Sequence, residues 1–78
     1  MMLDPLRPPA QLQNLVILRL PEVKQRCGLS RSSIYARIAR GEFPRFIRLG
    51  ANSVGWNAAE IDRWIADRIA ERDNGGAA

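Results

Sequence analysis

The 78-residue chain has no histidine, one cysteine and one lysine, and its longest unbroken aliphatic run is only Leu15-Val16-Ile17-Leu18. Each shortage excludes something. Without histidine there is no imidazole for acid–base chemistry, no Ser–His or Cys–His nucleophile pair, and none of the usual zinc-ligand sets. The single thiol, Cys27, closes no internal disulfide, and its expected place is that of a small buried hydrophobe. The aliphatic run is far short of the roughly 20 residues that span a bilayer. Residues 1–13 include Asp4 and the prolines Pro5, Pro8 and Pro9, without the apolar stretch of a secretory signal. No nucleophile–base pair, metal set, phosphate loop or cofactor motif stands out. The expectation is a cytoplasmic protein with no cofactor and no enzymatic activity.

What is present is a small basic domain. The chain is 46% hydrophobic and 26% charged, with 12 Lys+Arg against 8 Asp+Glu and a net charge of +4. The charge is unevenly spread. Residues 19–48 carry Arg19, Lys24, Arg26, Arg31, Arg37, Arg40, Arg45 and Arg48 against Glu22 and Glu42 alone. Residues 57–73 are mildly acidic. A cationic field gathered on one segment suits a polyanion, most simply nucleic acid.

The pattern along the chain predicts three short helices and a hairpin. Residues 1–14 read as a flexible Pro-rich arm, 15–72 as the ordered domain and 73–78 as a flexible tail. Leu15–Leu20 is a short extended lead-in or strand. Pro21 suits a first helical turn, and the helix it begins runs to Cys27 and stops at Gly28. After a tight turn, Ser30 is placed to cap a second helix over residues 31–40, which ends at Gly41. Ile34 and Ile38 form its core stripe, and the opposite face is small, hydroxylated and cationic. Two such helices across a glycine turn are a helix-turn-helix. Phe46-Ile47-Arg48-Leu49 and Val54-Gly55-Trp56, separated by Gly50-Ala51-Asn52-Ser53, read as a β-hairpin, hence a wing over residues 46–56. Asn57 caps a last helix whose apolar face is Ile61, Trp64, Ile65 and Ile69, interrupted by Arg68. The expected core is Leu20, Val23, Leu29, Ile34, part of Tyr35, Ile38, Phe43, Ile47, Leu49, Trp56, Ile61, Trp64 and Ile65. The fold class is mainly α with a small β-hairpin, a winged helix-turn-helix.

Five stretches in this order carry a resemblance. They are Ile17-Leu18-Arg19-Leu20-Pro21-Glu22-Val23, Gly28-Leu29-Ser30-Arg31-Ser32-Ser33-Ile34-Tyr35, Gly41-Glu42-Phe43-Pro44, and Val54-Gly55-Trp56 with Glu60-Ile61-Asp62-Arg63-Trp64-Ile65. Over about residues 17–69 the chain resembles the AlpA family of phage and prophage transcriptional regulators, relatives of the excisionase-like and MerR-like winged helix-turn-helix proteins. The Pro-rich arm lies outside that pattern. The resemblance implies a phage or mobile-element DNA-binding regulator, with the second helix as recognition helix and the hairpin as wing.

On that implied fold the recognition helix enters the major groove N-terminus first. Ser30, Arg31, Ser32 and Ser33 then face phosphate oxygens. Arg37 is the candidate for a guanine, because its planar fork matches both acceptors of that base. Tyr35 offers its hydroxyl to a phosphate. Arg40 and Arg45 contact the backbone. On the wing, Arg48, Asn52 and Ser53 meet the adjacent groove. A second use of the same contacts is that of a recombination directionality factor, which bends attachment-site DNA. A reading of another class is a protein-interaction adaptor docking through the last helix. Partners besides DNA would be an integrase or recombinase, or RNA polymerase. MerR-like relatives dimerise through a long C-terminal helix, whereas here that helix ends near Arg72. The expectation is a monomer in solution that binds cooperatively on DNA.

Overall fold

The computed structural model describes residues 15–75; the Pro-rich arm and the end of the tail lie outside these described residues. In chain order the elements are β1 (Ile17–Leu18), α1 (Leu20–Cys27), α2 (Arg31–Ala39), β2 (Ile47–Gly50), β3 (Ser53–Asn57) and α3 (Ala58–Gly75). The helix boundaries follow from the local chemistry. Pro21 sits in the first turn of α1, where the Glu22 carboxylate accepts the Arg19 N–H at 3.2 Å. Gly28 ends α1 at φ 67°, a left-handed conformation that costs a side-chain-bearing residue about 1 kcal/mol or more. The Ser30 hydroxyl accepts the Ser33 N–H at 3.1 Å and so caps α2. Asn57 does the same for α3 through the Ala59 N–H at 2.9 Å.

The hairpin gains a third strand. β1 pairs antiparallel with β3, giving the order β1-β3-β2, with Leu18 opposite Trp56 and Ile47 opposite Gly55. The ladder continues where the Ala58 N–H donates to the Val16 carbonyl at 2.9 Å. β1 therefore closes the N-terminal end of the domain onto the middle strand and feeds directly into α1.

The core takes one side chain from every element except β2, and one from the loop before it. Leu18 of β1, Val23 of α1, Ile34 of α2, Phe43 of the connecting loop, Trp56 of β3 and Ile61 of α3 are all buried. Each contributes about 1.5–3 kcal/mol of burial before entropy. No element is held without the others, since α1 and α2 are too short to stand alone.

Three expectations are corrected. Leu18 belongs to the core, because within the extended lead-in the two residues of β1 pair with β3, a partner the local pattern does not reveal, and turn it inward. Ile47 and Leu49 do not: they are 39% and 45% exposed. The alternation Phe46-Ile47-Arg48-Leu49 runs in the opposite phase, with Phe46 turned in against Tyr35 and Trp56 at centroid distances of 5.9 and 6.1 Å. Alternation alone does not choose between phases, and a one-residue change inverts every side chain. Here Gly55 decides it. A Cβ there would lie 2.5 Å from the Ile17 Cγ2 and 3.1 Å from the Leu49 Cδ1, so the outer face closes over a position that has room for no side chain. Finally, α3 does not end near Arg72: it stays helical through Gly75, into the segment read as tail.

Candidate nucleic-acid interface

Helical geometry divides α2 into an outer face and two flanks. Ile34 is fully buried, so the opposite side points to solvent. That side carries Ser32, Ala36, Ala39 and Arg40, all exposed. Its centre is small, which lets the helix backbone approach a concave surface closely. Arg31 and Tyr35 occupy the flank toward the wing, and the Arg31 guanidinium lies 5.1 Å from the Tyr35 ring centroid. Ser33 and Arg37 occupy the flank toward α3. There the Arg37 Nε donates to the Ser33 hydroxyl at 3.4 Å, and its guanidinium lies 6.0 Å from the Trp64 ring. Arg37 is thus half-buried and aimed by its neighbours, with its two terminal nitrogens left uncommitted by these contacts.

The loop that joins α2 to the wing is held by both tryptophans. The Trp56 indole N–H donates to the Pro44 carbonyl at 3.0 Å, and the Trp64 indole N–H to the Glu42 carbonyl at 2.9 Å. Phe43 packs edge-on against Trp64 between these two bonds. The indoles thereby set the distance and tilt between α2 and the hairpin. Their spacing marks them as core residues in the sequence, but this second duty has no sequence signal.

On the wing, Arg48 pairs with Val54 and shares the helix-side face of the sheet, while Asn52 lies in the turn and Ser53 begins β3. Arg45 lies exposed in the loop before β2.

Ion pairing sorts the arginines. Among the described residues Arg26 pairs with Asp62, Arg40 with Glu42, Arg68 with Glu71 and Arg72 with Asp73. Arg19, Arg31, Arg37, Arg45, Arg48 and, on α3, Arg63 have no such carboxylate among the described residues, nor does Lys24 of α1. Most of these unpaired cations, all but Lys24 and Arg63, therefore lie on α2, on or next to the wing, or bonded to it. Arg40 differs from the other candidates: its Nε donates to Glu42 at 2.9 Å, which reduces the charge it presents. Arg19, which was not among the candidates, joins the group because its Nε donates to the Val54 carbonyl of the wing at 3.0 Å.

Cys27 is half-buried beside α3, and burial pushes its thiol above the ordinary range against a smaller opposing effect of Arg26. No helix among the described residues is long and apolar enough to cross a membrane.

Two helices across a glycine turn, a capped second helix with a small outer face, and a hairpin fastened beside it define a winged helix-turn-helix protein. Residues 16–69 match the family model of the prophage CP4-57 regulatory protein (AlpA). The chain belongs to this AlpA family of prophage regulatory proteins. It is 46% identical over 71 residues to the uncharacterized protein ORF88 of Enterobacteria phage P4, covering 91% of this chain and 81% of that one. It is 43% identical over 58 residues to the DNA-binding transcriptional activator AlpA of Escherichia coli K12, covering 67% and 83% respectively.

Proposed function

We propose that the chain is a DNA-binding transcriptional regulator of a phage or mobile element. In this reading α2 lies in the major groove and the hairpin tip rests on the adjacent groove. The observation that carries it is the sorting of charge: five of the six described arginines without a carboxylate partner flank the small outer face of α2 or adjoin the wing, whereas of the three on α3 only Arg63 is unpaired. The relative named as a DNA-binding transcriptional activator supports the same reading, and the phage relative supports the mobile-element setting.

The residues divide by role. Ser32 and Ala36 approach base edges, where a hydroxyl and a methyl group can both be accommodated. Arg37, held through Nε by Ser33, reaches from its flank to a guanine with its two terminal nitrogens. Ser30, Arg31, Ser33, Tyr35 and Arg45 take phosphates on either side, with Arg40 contributing less because Glu42 neutralises it. Arg48, Asn52 and Ser53 hold the wing against the neighbouring groove. Beyond the core α3 exposes one large apolar residue, Ile69, too little for a coiled-coil seam, which supports a monomer in solution.

The substitution Ala36→Glu tests this reading. Ala36 is exposed and helical, so the variant should melt within a few degrees of the parent. On DNA it places a carboxylate among phosphates at the centre of the outer face. Electrophoretic mobility shift should show more than about tenfold weaker binding to a preferred duplex. Unchanged binding by the folded variant would remove α2 from the interface.

A further inference from the structure

An open cleft of about 370 Å³ separates the start of α1, the wing-side flank of α2 and the tip of the hairpin. Arg19, Arg31, Tyr35, Asn52 and Ser53 line it, and no carboxylate does. The two guanidiniums on its walls are each held. That of Arg19 is fixed by the 3.0 Å bond from Nε to the Val54 carbonyl, which leaves its two terminal nitrogens for another acceptor. That of Arg31 lies over the Tyr35 ring at 5.1 Å, an arrangement that keeps its edge N–H groups available. The nearest acid along the chain, Glu22, spends an oxygen on the Arg19 main-chain N–H and forms no ion pair with its guanidinium. Two cations facing one concavity with no counter-charge repel each other, and a bound anion reverses that cost.

We propose that this cleft seats a single phosphate of the DNA backbone between Arg19 and Arg31. The inference rests on the DNA-binding reading above and adds to it a residue outside the helix-turn-helix and the wing. Arg19 immediately follows β1 and is bonded to β3, so a phosphate gripped here also fixes the wing tip against α2. Binding and wing placement become one event. Because a phosphate carries no sequence information, the seat adds affinity and register but not base preference.

The test is a walk of single neutral methylphosphonate linkages through a preferred duplex, read by fluorescence polarisation with the full chain, Arg19→Gln and Arg31→Gln. With the parent protein, one linkage position should weaken binding about tenfold through this seat. With either variant the penalty at that same position should shrink severalfold, because one guanidinium alone is left to grip the phosphate. Arg19→Gln should bind the unmodified duplex about tenfold more weakly, with a log–log salt slope shallower by about 1 and an unchanged ratio of preferred to random duplex. If both variants retain every position's penalty, or relieve two different positions, there is no shared seat, although the DNA-binding reading stands. If the parent binds no duplex at all, both fail. Should Arg19→Gln not fold, Arg31→Gln carries the test from the opposite wall: a penalty undiminished from the parent's at every position would overturn the seat.

Discussion

Trp56→Ala leaves the protein largely unfolded at 25 °C. Trp56 is fully buried between Tyr35 and Phe46 and donates its indole N–H to the Pro44 carbonyl. Truncating a buried tryptophan typically costs about 3–5 kcal/mol. A domain of this size has about 3–9 kcal/mol of stability in all, at roughly 0.05–0.15 kcal/mol per residue. The collapse of this ring would also release the loop that positions α2 against the wing. Far-UV circular dichroism over a thermal ramp should show little or no cooperative transition for the variant. Trp56→Phe separates the two contributions: it keeps an aromatic ring but leaves the Pro44 carbonyl without its partner, a loss of about 1–3 kcal/mol. A melt of Trp56→Ala within a few degrees of the parent would contradict the account of the core.

The double substitution Arg31→Ala with Arg37→Ala should abolish specific DNA binding while leaving the fold intact. The two side chains lie on opposite flanks of α2, so their losses should be close to additive. A bidentate guanine contact contributes about 1–3 kcal/mol, and a charge-assisted phosphate contact is of similar order. The combined loss is therefore about a hundredfold or more in Kd. What each substitution removes inside the protein is small: a stacked cation over Tyr35, and a 3.4 Å bond to Ser33 beside Trp64. Neither arginine has a carboxylate partner among the described residues to strand. Fluorescence polarisation on a preferred duplex, with a melting curve for each variant, checks both halves. Undiminished DNA binding by the folded double variant would remove both flanks of α2 from the interface and place the DNA on another surface.

The segments that end helices were legible in the sequence because one residue governs each of them. Pro21, Gly28, Ser30, Gly41 and Asn57 act through their own backbone or side-chain chemistry, and the helices begin and end there. Strand chemistry is less local. β1 is only two residues long and exists because β3 accepts it, so its burial of Leu18 is a tertiary fact. The inward phase of β2 depends on where Phe46 meets Tyr35 and on the absence of a side chain at Gly55, two positions separated along the chain. The same limit governs the site. The cationic segment and its small, hydroxylated helix could be read directly. That Arg37 is drawn toward Trp64, that Glu42 neutralises Arg40, and that Arg19 reaches the wing depend on contacts across the fold.

The central claim is that the charge left unpaired along α2 and the wing is there to meet DNA phosphates. It is tested most directly by the salt dependence of binding of the full chain to a duplex selected from a random pool, against an unselected duplex, by fluorescence polarisation. With about 4–6 phosphates neutralised, the log–log slope should be roughly −4 to −5, and the selected duplex should bind orders of magnitude more tightly than the unselected one. No binding to any duplex at low salt, or a slope near zero, would contradict it.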